Sequence, residues 1–106
     1  MDINSIIKQI VKKIVSTAHP AKIILFGSYA RGDMQKDSDI DLLVVEKKIQ
    51  NKGKEMVRLR NAIGNVGFGI DLLVSTPEEI KEWGHLPGSA LYSALKEGKT
   101  VYEAAH

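Results

Sequence analysis

The chain has 106 residues, 43% hydrophobic and 26% charged, with a formal net charge of +2. That size suits one domain, residues 1–106, with a modest core, and the composition argues against disorder. So small a charge does not by itself mark a nucleic-acid binder, and the absence of cysteine excludes disulfides and thiolate zinc sites.

No apolar run approaches the ~20 residues of a membrane helix, and the start lacks the basic-then-apolar layout of a signal peptide. The expectation is a cytoplasmic protein with no membrane contact and no direct nucleic-acid contact.

At the start of the chain, Ile3, Ile6, Ile7, Ile10, Val11, Ile14 and Val15 recur at three- and four-residue steps. This predicts an amphipathic helix with Lys8, Lys12 and Lys13 off the stripe and Asp2 or Asn4 as its cap. His19-Pro20 ends it, because the residue before proline disfavours helical angles. Lys22–Phe26 reads as a short buried strand, broken by Gly27-Ser28. Further strands are expected over residues 38–46 and 69–75. Met56, Leu59 and Ile63 mark one face of a helix over residues 51–64 between them. Thr76-Pro77-Glu78-Glu79 opens another helix, with Thr76 as cap, Pro77 in the first turn and Glu79 as the reciprocal member of a capping box. Gly84 ends that helix. A last helix runs from Pro87 to Gly98, and Lys99–Glu103 adds an edge strand. The fold class is α/β (α+β): a small mixed sheet flanked by helices.

The pentapeptide Ile-Asp-Leu-Leu-Val occurs at 40–44 and again at 70–74. Four of its residues suit a buried strand, and an aspartate in such a run needs a partner. Side chains alternate along a strand, so Asp39 and Asp41 share a face, about 6–7 Å apart at the alpha carbons. If the strand carrying Asp71 lies alongside, three carboxylates meet at one end of the sheet. Unpaired they repel, and at least one takes up a proton. A divalent cation removes that cost, and an all-oxygen ligand set suits Mg2+ or Mn2+ rather than zinc. Alone, Asp-x-Asp is a weak signal, since aspartates are also common in turns.

Phe26-Gly27-Ser28-Tyr29-Ala30-Arg31-Gly32 strengthens it. Glycine lets the backbone approach a ligand, the first N–H groups of a helical turn at Ser28 favour an anion, and Arg31 can pair with phosphate. The stretch is not a P-loop, because no Gly-Lys-Ser/Thr follows, and Gly67-Phe68-Gly69 is a poor dinucleotide fingerprint. With Asp39-Ile40-Asp41 and Asp71, the pattern resembles the nucleotidyltransferase superfamily of DNA polymerase beta. Within it the chain is most similar to the minimal nucleotidyltransferases paired with HEPN-domain proteins as antitoxin and toxin.

The resemblance implies a division of labour. Gly27 and Ser28 hold the terminal phosphates of a nucleoside triphosphate, and Arg31 adds a phosphate contact. Asp39, Asp41 and Asp71 bind two Mg2+ ions (Mn2+ in their place), and Asp71 helps deprotonate the acceptor hydroxyl. The implied reaction moves AMP from ATP to a hydroxyl on the HEPN partner. The absence of a C-terminal acceptor-binding domain leaves the acceptor site to that partner, and homo- or hetero-oligomers are compatible with this. Two other readings remain: an antitoxin that masks its partner without catalysis, and transfer to a small molecule. Outside the motif, His85 is expected in a loop and Trp83 buried against the sheet. Lys47, Lys48, Lys52, Lys54, Arg58 and Arg60 are expected on a solvated surface.

Overall fold

The computed structural model describes residues 2–105. Helix α1, Ile3–Ala18, is capped by Asp2, whose side chain accepts from the Ser5 N–H at 2.9 Å. It buries Ile6, Ile7, Ile10 and Ile14 and ends at His19, which takes the left-handed conformation (φ 46°) just ahead of Pro20. Strand β1 (Lys22–Phe26) leads into a single helical turn, α2 (Ser28–Arg31). Strand β2 (Ile40–Val45), helix α3 (Lys52–Ile63) and strand β3 (Ile70–Ser75) follow. Helices α4 (Pro77–Trp83) and α5 (Ala90–Glu97) and strand β4 (Lys99–Glu103) complete the order.

The sheet order is β3-β2-β1-β4. β2 and β3 are parallel, joined by the α3 crossover, while β1 runs antiparallel to β2 and β4. The sheet is mixed, as the sequence predicts.

Both faces are covered, which is why β2 reads as an almost unbroken apolar run. On one face Ile23, Leu25, Ile40, Leu42, Val44, Leu72 and Val74 pack against the isoleucines of α1 and against Leu59 and Ile63 of α3. On the other, Ile24, Leu43 and Val45 meet Ala94 of α5, with Ile80 and Leu91 against them. Burying each large aliphatic side chain contributes about 1.5–3 kcal/mol, so the α1–α3 face, with more of them, dominates stability.

Several boundaries and contacts differ from expectation. β2 begins at Ile40 rather than Ser38, so Asp39 precedes the ladder. The last helix begins at Ala90, where the Ser89 side chain accepts from the Tyr92 N–H at 3.0 Å. Pro87 and Gly88 form the turn before it. Thr76 does cap α4, accepting from the Glu79 N–H at 3.2 Å, but the Glu79 carboxylate pairs with Lys52 and accepts from the Ser75 hydroxyl. Trp83 is 53% exposed rather than buried, because α4 is short and Trp83 is its last residue. His85 is an exposed loop residue.

Glu46, at the end of β2, carries an unannounced feature. It is buried, and its Oε2 has no hydrogen-bond partner among the described residues. Burial, and then a hydrogen bond to Glu55, push its carboxyl up to about 8. Glu55 is held low by the guanidinium of Arg58, which donates to both its oxygens at 2.9 Å. Glu46 is therefore the protonated member of a carboxyl–carboxylate pair at neutral pH. Its folded pKa lies above its unfolded one, so folding binds a proton there. The stability this contributes is complete below pH 4.5 and falls away as pH rises to about 8. Glu46→Gln keeps a donor to Glu55 but cannot ionise. Urea unfolding should show the variant gaining on wild type as pH rises from about 4.5 to about 8. Parallel pH profiles for the two proteins would contradict the assignment.

Candidate active site

The repeated pentapeptides lie side by side. β2 and β3 pair in a register that sets Ile40 opposite Ile70, Asp41 opposite Asp71 and Leu42 opposite Leu72. Adjacent strands lie about 4.8 Å apart, so Asp41 and Asp71 start from neighbouring alpha carbons and point to the same face. Leu43 and Val45 continue that face into the core beneath α4 and α5, whereas Asp41 is only half-buried and Asp71 is exposed. Asp39, one step outside the ladder, is exposed beside them.

Two glycines make room for these carboxylates. Gly27 stands at φ 72°, ψ −153°, a conformation that side chains rarely permit. It lies so close to Asp41 that an added Cβ would collide with the Asp41 carboxylate. Antiparallel pairing of β1 with β2 sets Phe26 opposite Asp41, which delivers Gly27 to that position. Gly69 lies in the same way against the Asp39 carboxylate, while its carbonyl accepts from the Ile40 N–H at 2.9 Å. In the sequence, Gly69 reads only as part of a poor dinucleotide fingerprint with Gly67. Its position two residues ahead of Asp71 was the available signal.

α2 folds back at once after Gly27: the Ala30 and Arg31 amides donate to the Gly27 carbonyl at 3.1 and 3.0 Å. Ser28 and Tyr29 open the turn, and N–H groups in that position have no partner inside a helix. Arg31, at the other end of the turn, donates to Asp33 at 3.1 Å through Nε and to Glu97 at 2.8 Å through a terminal nitrogen. Glu97 lies 66 residues away in the chain, and nothing in the sequence links it to Arg31.

Electrostatics set Asp41 apart. Its carboxyl is raised above the ordinary range, first by burial, then by Asp71 and Asp39, with Arg31 pulling the other way and Glu97 adding to the rise. Asp41 thus senses both neighbouring acids and both members of the Arg31–Glu97 pair. Among the described residues, no three acidic or histidine side chains are drawn into a ready-made metal cluster. The like charges oppose such closure. The donor set nonetheless fits a hard divalent cation. It offers oxygens only, two of them from register partners, and a cation would offset the repulsion that raises Asp41. The structure thus brings Asp39, Asp41, Asp71 and Gly27 together, and places Ser28 and Arg31 along the adjoining turn.

Comparison with known proteins identifies the family. Residues 5–99 match the family model described as "Nucleotidyltransferase domain". The "Putative protein adenylyltransferase MJ0141" of Methanocaldococcus jannaschii is 38% identical over 78 residues, covering 71% of this chain and 77% of that protein. A crystal structure named as a "putative nucleotidyltransferase" from Sulfolobus solfataricus superposes with a TM-score of 0.66 at 25% identity, over 93% of this chain and 78% of that one. A toxin-antitoxin crystal structure with AMP-PNP shares the fold at a TM-score of 0.62 and 20% identity, over 92% of this chain and 73% of that one. With the family match running from α1 through α5, the chain belongs to the nucleotidyltransferase domain family and is a nucleotidyltransferase.

Proposed function

We propose that residues 1–106 act as one domain that transfers AMP from ATP to a hydroxyl on a partner protein. Asp39, Asp41 and Asp71 serve as the metal-binding acids, and Gly27, Ser28 and Arg31 hold the triphosphate. The observation that carries this reading is the Asp41–Asp71 register, with the Gly27 backbone pressed against the Asp41 carboxylate. An apolar strand has no structural need for paired acids, and a phosphate-binding turn beside them gives them one.

Magnesium or manganese held by the three carboxylates would supply positive charge against the triphosphate and the acceptor oxygen. The protein's own part is positioning. The glycine at 27 lets the backbone approach the phosphates, and the opening amides of the α2 turn and the Ser28 hydroxyl orient them. Asp71, exposed at its strand's start, receives the acceptor's proton. The acceptor oxygen forms a bond to the α-phosphorus, the bond from that phosphorus to the bridging oxygen breaks, and pyrophosphate leaves.

Two similarities support a protein acceptor. The M. jannaschii relative is named as a protein adenylyltransferase, and one structural neighbour is a toxin-antitoxin with AMP-PNP. We assign the acceptor to a HEPN-domain toxin on the motif resemblance, and the setting to the cytoplasm. No helix among the described residues is long and apolar enough to cross a membrane.

The test is incubation with α-labelled ATP, Mg2+ and a HEPN-domain toxin. Label on that protein is expected. A stable complex without label, across all four nucleotides, would instead favour an antitoxin that works by masking.

A further inference from the structure

We propose that Glu97 is a positioning residue for nucleotide binding, fixing the Arg31 guanidinium at the mouth of the site. This rests on the function proposed above. Arg31 sits in the last turn of α2, half-exposed, and is gripped from two sides: Asp33 takes Nε at 3.1 Å and Glu97 takes a terminal nitrogen at 2.8 Å. A free arginine carries substantial rotamer entropy, which is lost when it closes on a phosphate. A guanidinium already held by carboxylates has lost it beforehand, and its remaining N–H donors stay available.

Glu97 is well placed to act as the fixed point. It is the last residue of α5, whose Ala94 is fully buried against the sheet. The next residue, Gly98, packs so tightly on Ile24 and the Leu25 carbonyl that an added Cβ would clash with Ile24. The Glu97 side chain is 30% exposed against 61% for Asp33, which lies in the exposed segment after α2. Asp33 follows Arg31 locally, whereas Glu97 ties it to the body of the fold. The pair also adjoins the acids, since the Arg31 amide donates to the Gly27 carbonyl at 3.0 Å and Gly27 lies against the Asp41 carboxylate.

Glu97 in this role is not a latch that competes with the nucleotide for Arg31. A latch predicts tighter nucleotide binding when Glu97 is neutralised. Positioning predicts weaker binding, and only while Arg31 is present. The experiment is calorimetric titration of the full chain with a non-hydrolysable ATP analogue in Mg2+. It compares wild type, Glu97→Gln, Arg31→Met and the double variant, with melting temperatures in parallel. The expected result is a Kd raised about five- to tenfold by Glu97→Gln and at least as much by Arg31→Met, with no further rise in the double variant. A purely structural role for Glu97 would make the two effects multiply. Unchanged or tighter binding in Glu97→Gln, or multiplied effects, would overturn the inference while leaving the nucleotidyl-transfer reading intact. Failure of the wild type to bind the analogue would overturn both.

Discussion

Asp41→Asn is expected to abolish nucleotidyl transfer while leaving the fold at least as stable as wild type. Asp41 begins within an apolar strand, is half-buried, and faces Asp71 across the parallel ladder. Its carboxyl is pushed up by burial and by the neighbouring acids. The unfolded chain imposes neither effect, so ionised Asp41 opposes folding at neutral pH. Its protonation on acidification relieves that opposition. Asparagine has the same shape, removes the repulsion, and fits the space that Gly27 leaves. What it lacks is the charge. Losing one anionic ligand removes several kcal/mol of charge stabilisation, so the rate should fall at least about a thousandfold. Thermal melts and labelled-AMP transfer together check this. A variant that melts like wild type and still transfers at a wild-type rate would remove Asp41 from the chemistry.

Gly27→Ala should damage both stability and activity. At φ 72° an alanine is strained, at a cost of about 1–3 kcal/mol, and its methyl would meet the Asp41 carboxylate. Asp41 or the turn must move, and a shift of about 1 Å at a reacting centre is enough for roughly a hundredfold loss of rate. Gly64→Ala separates the two effects. Gly64, at the end of α3, also has positive φ, 69°, but open space where a Cβ would stand, with no carboxylate within 4 Å of it. It should carry the same backbone strain, about 1–3 kcal/mol, and keep its activity. Equal activity loss in both variants, measured by the same transfer assay, would show that backbone strain rather than the Gly27–Asp41 contact governs the site.

Much of this was legible in the sequence because strands have a period of two. Once Asp41 and Asp71 stood at the same point of the same pentapeptide, a strand–helix–strand crossover left one natural pairing, and β2 and β3 adopt it. Gly27 was legible because it breaks a strand just before a turn-forming serine. The contacts that refine the site join residues far apart in sequence, and periodicity carries no signal for them. Glu97 reaches Arg31 because α5 ends beside the last residue of α2. Gly69 lies against Asp39 because the two strands start together. The Glu79 side chain leaves the capping box because Lys52, on the crossover helix, offers it a full charge. Trp83 looked like a core residue by composition, but α4 ends at it and leaves the ring outside.

The most direct test of the account is whether nucleotide binding needs the cation and the strand aspartates together. A non-hydrolysable ATP analogue would be titrated into wild type, Asp41→Asn and Asp71→Asn, each in Mg2+ and in EDTA. Binding by wild type in Mg2+, lost in EDTA and in either variant, is the predicted result. Equal affinity in EDTA, or in the aspartate variants, would contradict a shared metal–triphosphate site at the paired strands.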